Sequence, residues 1–127
     1  ALNSAGNKDK ELWGKRAKWV DYWGKIDGHT VGVALFDHPD NLRHPTWWHA
    51  RDYGLVAANP FGIHNFEGKK KGVGDFKLKK GEKQNFRYGI LFHEGDTQAA
   101  DIAGSYAQWV EVIATYKARA AERTGNN

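Results

Sequence analysis

The sequence predicts a mainly β protein, an antiparallel β-sandwich or half of a larger sandwich, that ends in one α-helix. Two observations predict this class. Several segments alternate between apolar and polar residues and are separated by glycine or proline turns, which is typical of antiparallel strands. The C-terminal segment instead spaces its apolar residues three or four positions apart, as on one helical face. Strands followed by a terminal helix favour this architecture, and 127 residues suffice for a single domain.

The first two strands are predicted to form a hairpin. Residues 16–23 alternate and place Trp19, Asp21 and Trp23 on one side of a strand. A turn follows at Gly28, because glycine readily adopts a positive φ. Residues 29–36 then form the returning strand.

Four more strand segments are expected, at residues 46–53, 54–58, 76–78 and 85–92. Loops separate them at residues 37–45, which contain two prolines, and at residues 67–75, which are rich in Gly and Lys. About six strands are few for a closed sandwich, so half of a larger sandwich fits equally well.

The C-terminal helix is predicted from one set of apolar residues. They are Ile102, Tyr106, Trp109, Val110, Ile113 and Tyr116. This spacing predicts a helix over residues 97–119, with Asp96 and Thr97 as caps at its start. We expect Ile102, Trp109 and Ile113 to pack on the sheet.

Composition excludes several classes of protein. Without cysteine there is no disulfide scaffold, and no stretch of about 20 apolar residues is present to span a membrane. The net charge of +4 is mild. The lysine clusters at residues 69–71 and 77–80 are typical of solvated surface, and with only Phe76 beside them they argue against a nucleic-acid partner. Because methionine is absent, we expect a mature or cleaved chain, or a piece of a longer one.

Polar side chains with catalytic potential concentrate in residues 37–53. The candidate catalytic residues are Asp37, His38, His44, His49, Arg51 and, after the last strand, His93. Histidine titrates near neutral pH and is also the commonest metal ligand, so acid–base chemistry and a divalent metal are both hypotheses. The spacing of these histidines matches no recognised metal motif. The alternative is a loop pinned by its own Asp and His hydrogen bonds.

The same segment suggests a saccharide surface. Sugars stack on flat aromatic rings while polar side chains bind their hydroxyl groups, and the candidate ligand-binding residues are Trp47, Trp48, Asn41 and Tyr53. Adjacent strand residues point to opposite faces. One of Trp47 and Trp48 is therefore expected to face solvent, another domain or a ligand.

Three motifs carry a family resemblance. They are a WG-R-A-WVDY-G strand at residues 13–24, a VG-A-FDHP-N-RHPT-WH-RDYG-ANPFG core at residues 32–62, and an L--GE----RY---H-GD segment at residues 78–96. In this pattern the chain resembles a bacterial family labelled methane oxygenase PmoA-like, which is also catalogued as a domain of unknown function. The resemblance covers nearly the whole chain.

The resemblance implies a β-sandwich in longer proteins, of which residues 1–127, as a single domain, resemble the C-terminal half. It implies a missing N-terminal half, or other protein chains, as partners. Family members often occur beside genes for sugar oxidation and cleavage in bacteria that degrade polysaccharides, which implies glycoside or keto-sugar processing and a carbohydrate ligand. A membrane oxygenase subunit is not expected, because no membrane span is present. Localisation stays open between periplasm and cytoplasm.

Three functions therefore compete: an enzyme-derived domain acting on carbohydrate, a non-catalytic saccharide-binding or interaction module, and a structural domain. An acid–base or metal site requires several polar groups to converge on one point. A binding module requires only an exposed aromatic surface. We expect at least two of His38, His44, His49 and His93 to share one concave surface with Asp37 and Arg51.

Overall fold

The computed structural model describes residues 1–124, which form two antiparallel sheets and one long helix. The strands are β1 (Leu2–Asn3), β2 (Lys15–Arg16), β3 (Trp19–Ile26), β4 (His29–Asp37), β5 (Trp47–Ala50), β6 (Val56–Ala58) and β7 (Tyr88–Glu94). The helices are a 3-10 turn (Asp9–Leu12), the short α1 (Ile63–Phe66) and the long α2 (Ile102–Thr124). The predicted fold class is confirmed.

The larger sheet has the strand order β1-β3-β4-β7, and the smaller sheet has the order β2-β5-β6. All pairings are antiparallel. The predicted hairpin is confirmed, because β3 pairs with β4 from Trp19 opposite Phe36 to Ile26 opposite His29. Its turn contains Asp27 and Gly28, both with positive φ, as the common two-residue hairpin turn requires.

The two faces of the larger sheet are covered by different elements. One face packs on the smaller sheet, and the core between the sheets contains Leu12, Ala17, Val20, Trp48 and Ala50. The other face packs on α2, through a cluster that contains Trp19, Ala34, Phe36, Ile102 and Tyr106. A chain of this size therefore buries two small cores instead of one.

Helix α2 packs on the larger sheet through Ile102 and Trp109 as expected, but Ile113 is not among the residues of this cluster, and the bounds of the helix differ from the prediction. Ile102 is fully buried, and the Trp109 ring lies 5.7 Å from that of Phe36. The helix begins after Asp101, whose Oδ1 accepts a hydrogen bond from the Gly104 amide at 3.1 Å. Asp96 instead caps the preceding turn through the amides of residues 98 and 99. No helix among residues 1–124 is long and apolar enough to cross a membrane.

The segment between α1 and β7 corrects another prediction. Residues 76–78 form no strand. Phe76 instead stacks on Phe61, with ring centroids 5.9 Å apart. This segment is tied to the loop after β6 by Arg43, whose Nη1 donates to the carbonyl oxygens of Pro60 (2.7 Å) and Gly74 (2.6 Å). Two apolar residues that alternate with one lysine were not enough to form a strand here without a partner strand.

Candidate functional site

The Asp37 carboxylate closes the proline-containing loop. It is fully buried and accepts hydrogen bonds from Asn41 Nδ2 and from the Thr46 amide, both at 2.8 Å. The Nδ1 atom of His44 lies 2.8 Å from the Oδ2 atom of Asp37. The backbone carbonyl of Asp37 also accepts a bond from the Tyr106 hydroxyl. These contacts match the alternative interpretation, a loop pinned by its own side chains.

His38 lies in the same loop but is buried under α2. Its side chain is 5% exposed, and its ring is 5.4 Å from the Trp109 ring. Nδ1 accepts a hydrogen bond from the Asp40 amide, whereas Nε2 has no hydrogen-bond partner among the described residues. Burial lowers the pKa of His38 below its ordinary value of 6.5. The structure therefore holds His38 as a neutral packing residue.

The two candidate tryptophans of β5 are both buried. Trp48 lies in the core between the sheets, with no exposed surface, and its Nε1 donates to the Ala17 carbonyl. Trp47 points to the opposite face and is 6% exposed. There the Arg16 guanidinium covers its ring at 4.3 Å, and its Nε1 donates to Glu67 Oε1 at 3.0 Å. Neither ring offers an open stacking surface.

The remaining candidates of this segment lie in other surroundings. His49 contacts the Phe66 ring, and the Arg51 guanidinium lies 5.0 Å from the Trp13 ring. Asn41 is buried and binds the backbone of Arg87.

Tyr53 is 75% exposed. The structure thus brings Asp37, His38 and His44 together in one loop, and their contacts include neither His49 nor Arg51. Within residues 1–124 no group of three or more His, Asp or Glu side chains is arranged to hold a metal ion.

His93 belongs to a different cluster, built on two strands and the turn before α2. Its Nε2 lies 2.8 Å from Asp21 Oδ1, and the Thr97 hydroxyl donates to Asp21 Oδ2 at 2.6 Å. Asp21 is fully buried, and the His93 side chain is 6% exposed. Because an ionised carboxylate only accepts hydrogen bonds, Nε2 carries the proton in this pair. The other nitrogen, Nδ1, lies 3.3 Å from the Glu94 carbonyl oxygen.

Gly32 makes the contact between His93 and Asp21 possible. His93 on β7 is the register partner of Gly32 on β4, and Asp21 lies one strand further, on β3. A Cβ atom at position 32 would lie 2.3 Å from His93 Cε1 and 2.4 Å from Nε2. The imidazole therefore occupies the space that a side chain at position 32 would fill, and it reaches Asp21 across β4.

A concave cavity with both polar and apolar walls borders this cluster. Its volume is about 270 Å³, and Thr97 belongs both to its wall and to the Asp21 cluster. Besides residues 1 and 2, the wall consists of Lys8, Asp9, Trp23, Asp96, Thr97 and Gln98. Trp23 supplies the one aromatic ring, while the other named residues supply charges of both signs, a hydroxyl and an amide. We call this space the Trp23 cavity.

Sequence reasoning named His93 but missed its partners. Asp21 falls in the WVDY-G motif, Gly32 in the VG motif and Asp96 in the H-GD motif, whereas Trp23 occupies the open position of the first motif. The signal that could have joined them is the alternation of β3, which places Asp21 and Trp23 on one face. What was missing is the register of β7 against β4, because it pairs residues that are distant in sequence.

The fold and the site define a two-sheet β domain with a buried Asp–His pair beside a cavity that has one aromatic wall. The chain belongs to a family of unknown function, DUF6807, whose model matches residues 1–107. No curated protein and no solved structure matches the chain. The PmoA-like label and the carbohydrate setting stay predictions.

Proposed function

We propose that this chain is the saccharide-binding part of a carbohydrate-processing protein, and that the Trp23 cavity holds the sugar ring. One observation carries the proposal: the cavity combines a flat aromatic ring with polar groups of both signs. A sugar presents an apolar face to an aromatic ring and hydroxyl groups to donors and acceptors around it. Asp9 and Asp96 supply acceptors, Lys8 supplies donors, and Gln98 supplies both.

The Asp21 cluster supports this use of the cavity by positioning its wall. Thr97 donates its hydroxyl hydrogen to Asp21, so the lone pairs of its oxygen are available to a sugar hydroxyl that donates. Asp96 is fixed as well, because its Oδ1 accepts bonds from the amides of Gln98 and Ala99. A wall that is already ordered costs less entropy when a ligand binds.

A catalytic role is the second candidate, and the Asp21–His93 pair is the observation that favours it. A carboxylate that orients an imidazole is a common arrangement in acid–base catalysis. However, the His93 side chain is 6% exposed. The cavity of about 540 Å³ that His93 lines has mostly apolar walls, such as Ile26, Val31 and Phe92, and the Trp23 cavity is lined by other residues. Binding therefore has the stronger support. If His93→Gln abolished cleavage of an oligosaccharide but left its affinity unchanged, the catalytic alternative would be preferred.

Titration calorimetry with a panel of neutral monosaccharides and disaccharides tests the proposed function. We expect at least one sugar to bind, and we expect Trp23→Ala to weaken its affinity roughly tenfold or more, because the stacking surface is lost. Tyr116→Ala is the matched control, since Tyr116 is an exposed aromatic residue on α2 outside the cavity. Failure of every sugar to bind, or equal affinity in Trp23→Ala, would refute the proposal.

A further inference from the structure

The lysine-rich segment, residues 69–83, concentrates the positive charge of the chain. It contains seven lysines and two acidic residues, so its net charge is +5, whereas the whole chain carries +4. The rest of the chain therefore has a net charge of −1. All seven lysines are exposed, and none of them forms an ion pair with another described residue. Positive charge that is unpaired and confined to one segment is typical of a surface that binds a polyanion.

Four aromatic rings form a continuous series of contacts beside these lysines. Phe76, within the segment, stacks on Phe61, and Phe61 contacts Phe86 edge to face, with ring centroids 5.9 Å apart in both pairs. Phe86 lies parallel to Tyr88, with ring centroids 6.3 Å apart. Phe61 and Tyr88 are each 41% exposed, and Phe76 is 38% exposed. The four residues thus present a partly exposed apolar surface, which we call the aromatic ladder.

The folded chain assembles this ladder from segments that are distant in sequence. Phe76 is the one aromatic residue among the lysines, whereas Phe61 belongs to the loop after β6. Arg43 holds the two segments together, because its Nη1 donates to the carbonyl oxygens of Pro60 and Gly74. The middle of the lysine-rich segment is therefore anchored at the ladder, with three lysines before it and four after it in the sequence.

We propose that the lysine-rich segment and the aromatic ladder bind single-stranded nucleic acid. The lysine ammonium groups pair with phosphate groups along the strand, and the exposed rings stack on its bases. Proteins that bind single strands without sequence preference combine these two features. A duplex is a poorer ligand, because its bases already stack on one another and their faces are not available to the rings. The site is separate from the Trp23 cavity, whose wall contains none of these residues.

The polar groups of this region favour a nucleic acid over an acidic polysaccharide. A sugar needs acceptors as well as donors around the aromatic ring on which it stacks. The lysine-rich segment has seven lysine donors but two carboxylates, and the Glu82 carboxylate already accepts a hydrogen bond from the Lys79 amide at 2.9 Å. Three of the four ladder residues are phenylalanines, whose rings have no polar atom. Phosphates and bases therefore match this surface better than sugar hydroxyl groups do.

Fluorescence anisotropy with a labelled oligouridylate of about 12 nucleotides tests the proposal, since single-stranded sites usually span about 4–16 nucleotides. We expect binding that weakens as salt rises, because bound phosphates release counterions. Phe76→Ala should weaken the affinity roughly fivefold or more, because a base loses a stacking surface. Tyr116→Ala is the matched control, since Tyr116 is an aromatic residue that is 66% exposed on α2, outside the ladder. Thermal unfolding checks that all variants fold.

Two double variants that remove the same charge test the lysines separately from the rings. Lys79→Gln/Lys80→Gln should make the slope of log affinity against log salt concentration shallower by about 1.4. Lys18→Gln/Lys25→Gln, which changes two exposed lysines outside the segment, should leave the slope nearly unchanged. Absence of oligouridylate binding, equal affinities in the two aromatic variants, or equal slopes in the two lysine variants would overturn the proposal. Tighter binding of polygalacturonate, an acidic polysaccharide without bases, would overturn it in favour of a sugar ligand.

Discussion

At the scale of single residues, Gly32 and His93 are coupled. The imidazole reaches Asp21 only because position 32 has no side chain, and a Cβ there would also lie 2.7 Å from the Tyr22 carbonyl oxygen. Gly32→Ala should therefore lower the free energy of unfolding by about 2 kcal/mol, as overpacking does. Chemical denaturation measures this change.

The double variant Gly32→Ala/His93→Ala provides the control for that prediction. Removal of the imidazole relieves one of the two close contacts, so the double variant should lose less stability than the sum of the single variants, by about 1 kcal/mol. Strict additivity would mean that the ring moves away at no cost and that the contact is not tight.

His38 should make stability depend on pH. Burial lowers its pKa in the folded protein, so the unfolded chain binds a proton at a higher pH than the folded chain does. The free energy of unfolding contributed by this residue is fully present above about pH 6.5, and it falls as the pH drops toward the folded pKa, by at most about 1.4 kcal/mol per unit. Urea unfolding at several pH values measures the slope.

His38→Gln is the comparison, because glutamine does not titrate. Between about pH 7 and pH 5 the wild-type protein should lose more stability than this variant. The carboxylate of Asp40, which faces His38, does not titrate in this pH range, because the Lys117 ammonium lowers the pKa of Asp40 below 3.8. Parallel pH profiles in the two proteins would contradict the neutral, buried state of His38.

At the scale of elements, Trp109 joins α2 to the larger sheet. Its ring contacts those of Phe36, His38 and Tyr106. Trp109→Ala should lower the free energy of unfolding by about 3 kcal/mol, because a large aromatic contact is lost. Val112→Ala, at a position that is 44% exposed on the same helix, should change it by less than about 0.5 kcal/mol. Equal losses of stability in the two variants would show that the Trp109 face of α2 does not pack on the larger sheet.

The sequence predicted those elements whose signals are local. Residues 19–37 combine alternation with a glycine turn, and both features act within a few positions, so the β3–β4 hairpin was predictable. The β5 tryptophans face opposite sides as expected, but the expectation that one of them faces solvent, another domain or a ligand was wrong, because both are buried within the chain. What covers Trp47 was not predictable, because Arg16 and Glu67 come from distant segments. For the same reason, local sequence patterns could not predict the His93–Asp21 contact. They also could not predict that residues 76–78 form no strand.

At the scale of the whole molecule, the lysine-rich segment is a long, mostly exposed stretch outside the helices and strands. Residues 69–83 contain seven exposed lysines and no strand. Limited digestion with trypsin should therefore cut there first, because cleavage requires an exposed and locally flexible backbone. Mass spectrometry identifies the first cuts. A first cut within either sheet would contradict the expectation.

After this cut, the two fragments should stay associated under native conditions. Strand β7 follows the lysine-rich segment, yet it pairs with β4, which precedes it, and α2 packs on the same sheet. Size-exclusion chromatography should therefore elute both fragments together, and urea should separate them. Separation without denaturant would show that these contacts are weaker than the strand pairing implies.

The pairing of β7 with β4 also has a consequence for synthesis on the ribosome. Asp37 and Tyr88 are register partners, yet β5, β6 and the lysine-rich segment are translated between them. The β3–β4 hairpin can form as soon as it emerges. The edge of β4 that later pairs with β7, however, stays unpaired until β7 has left the exit tunnel. During this interval the nascent chain exposes an apolar strand that a ribosome-bound chaperone could recognise.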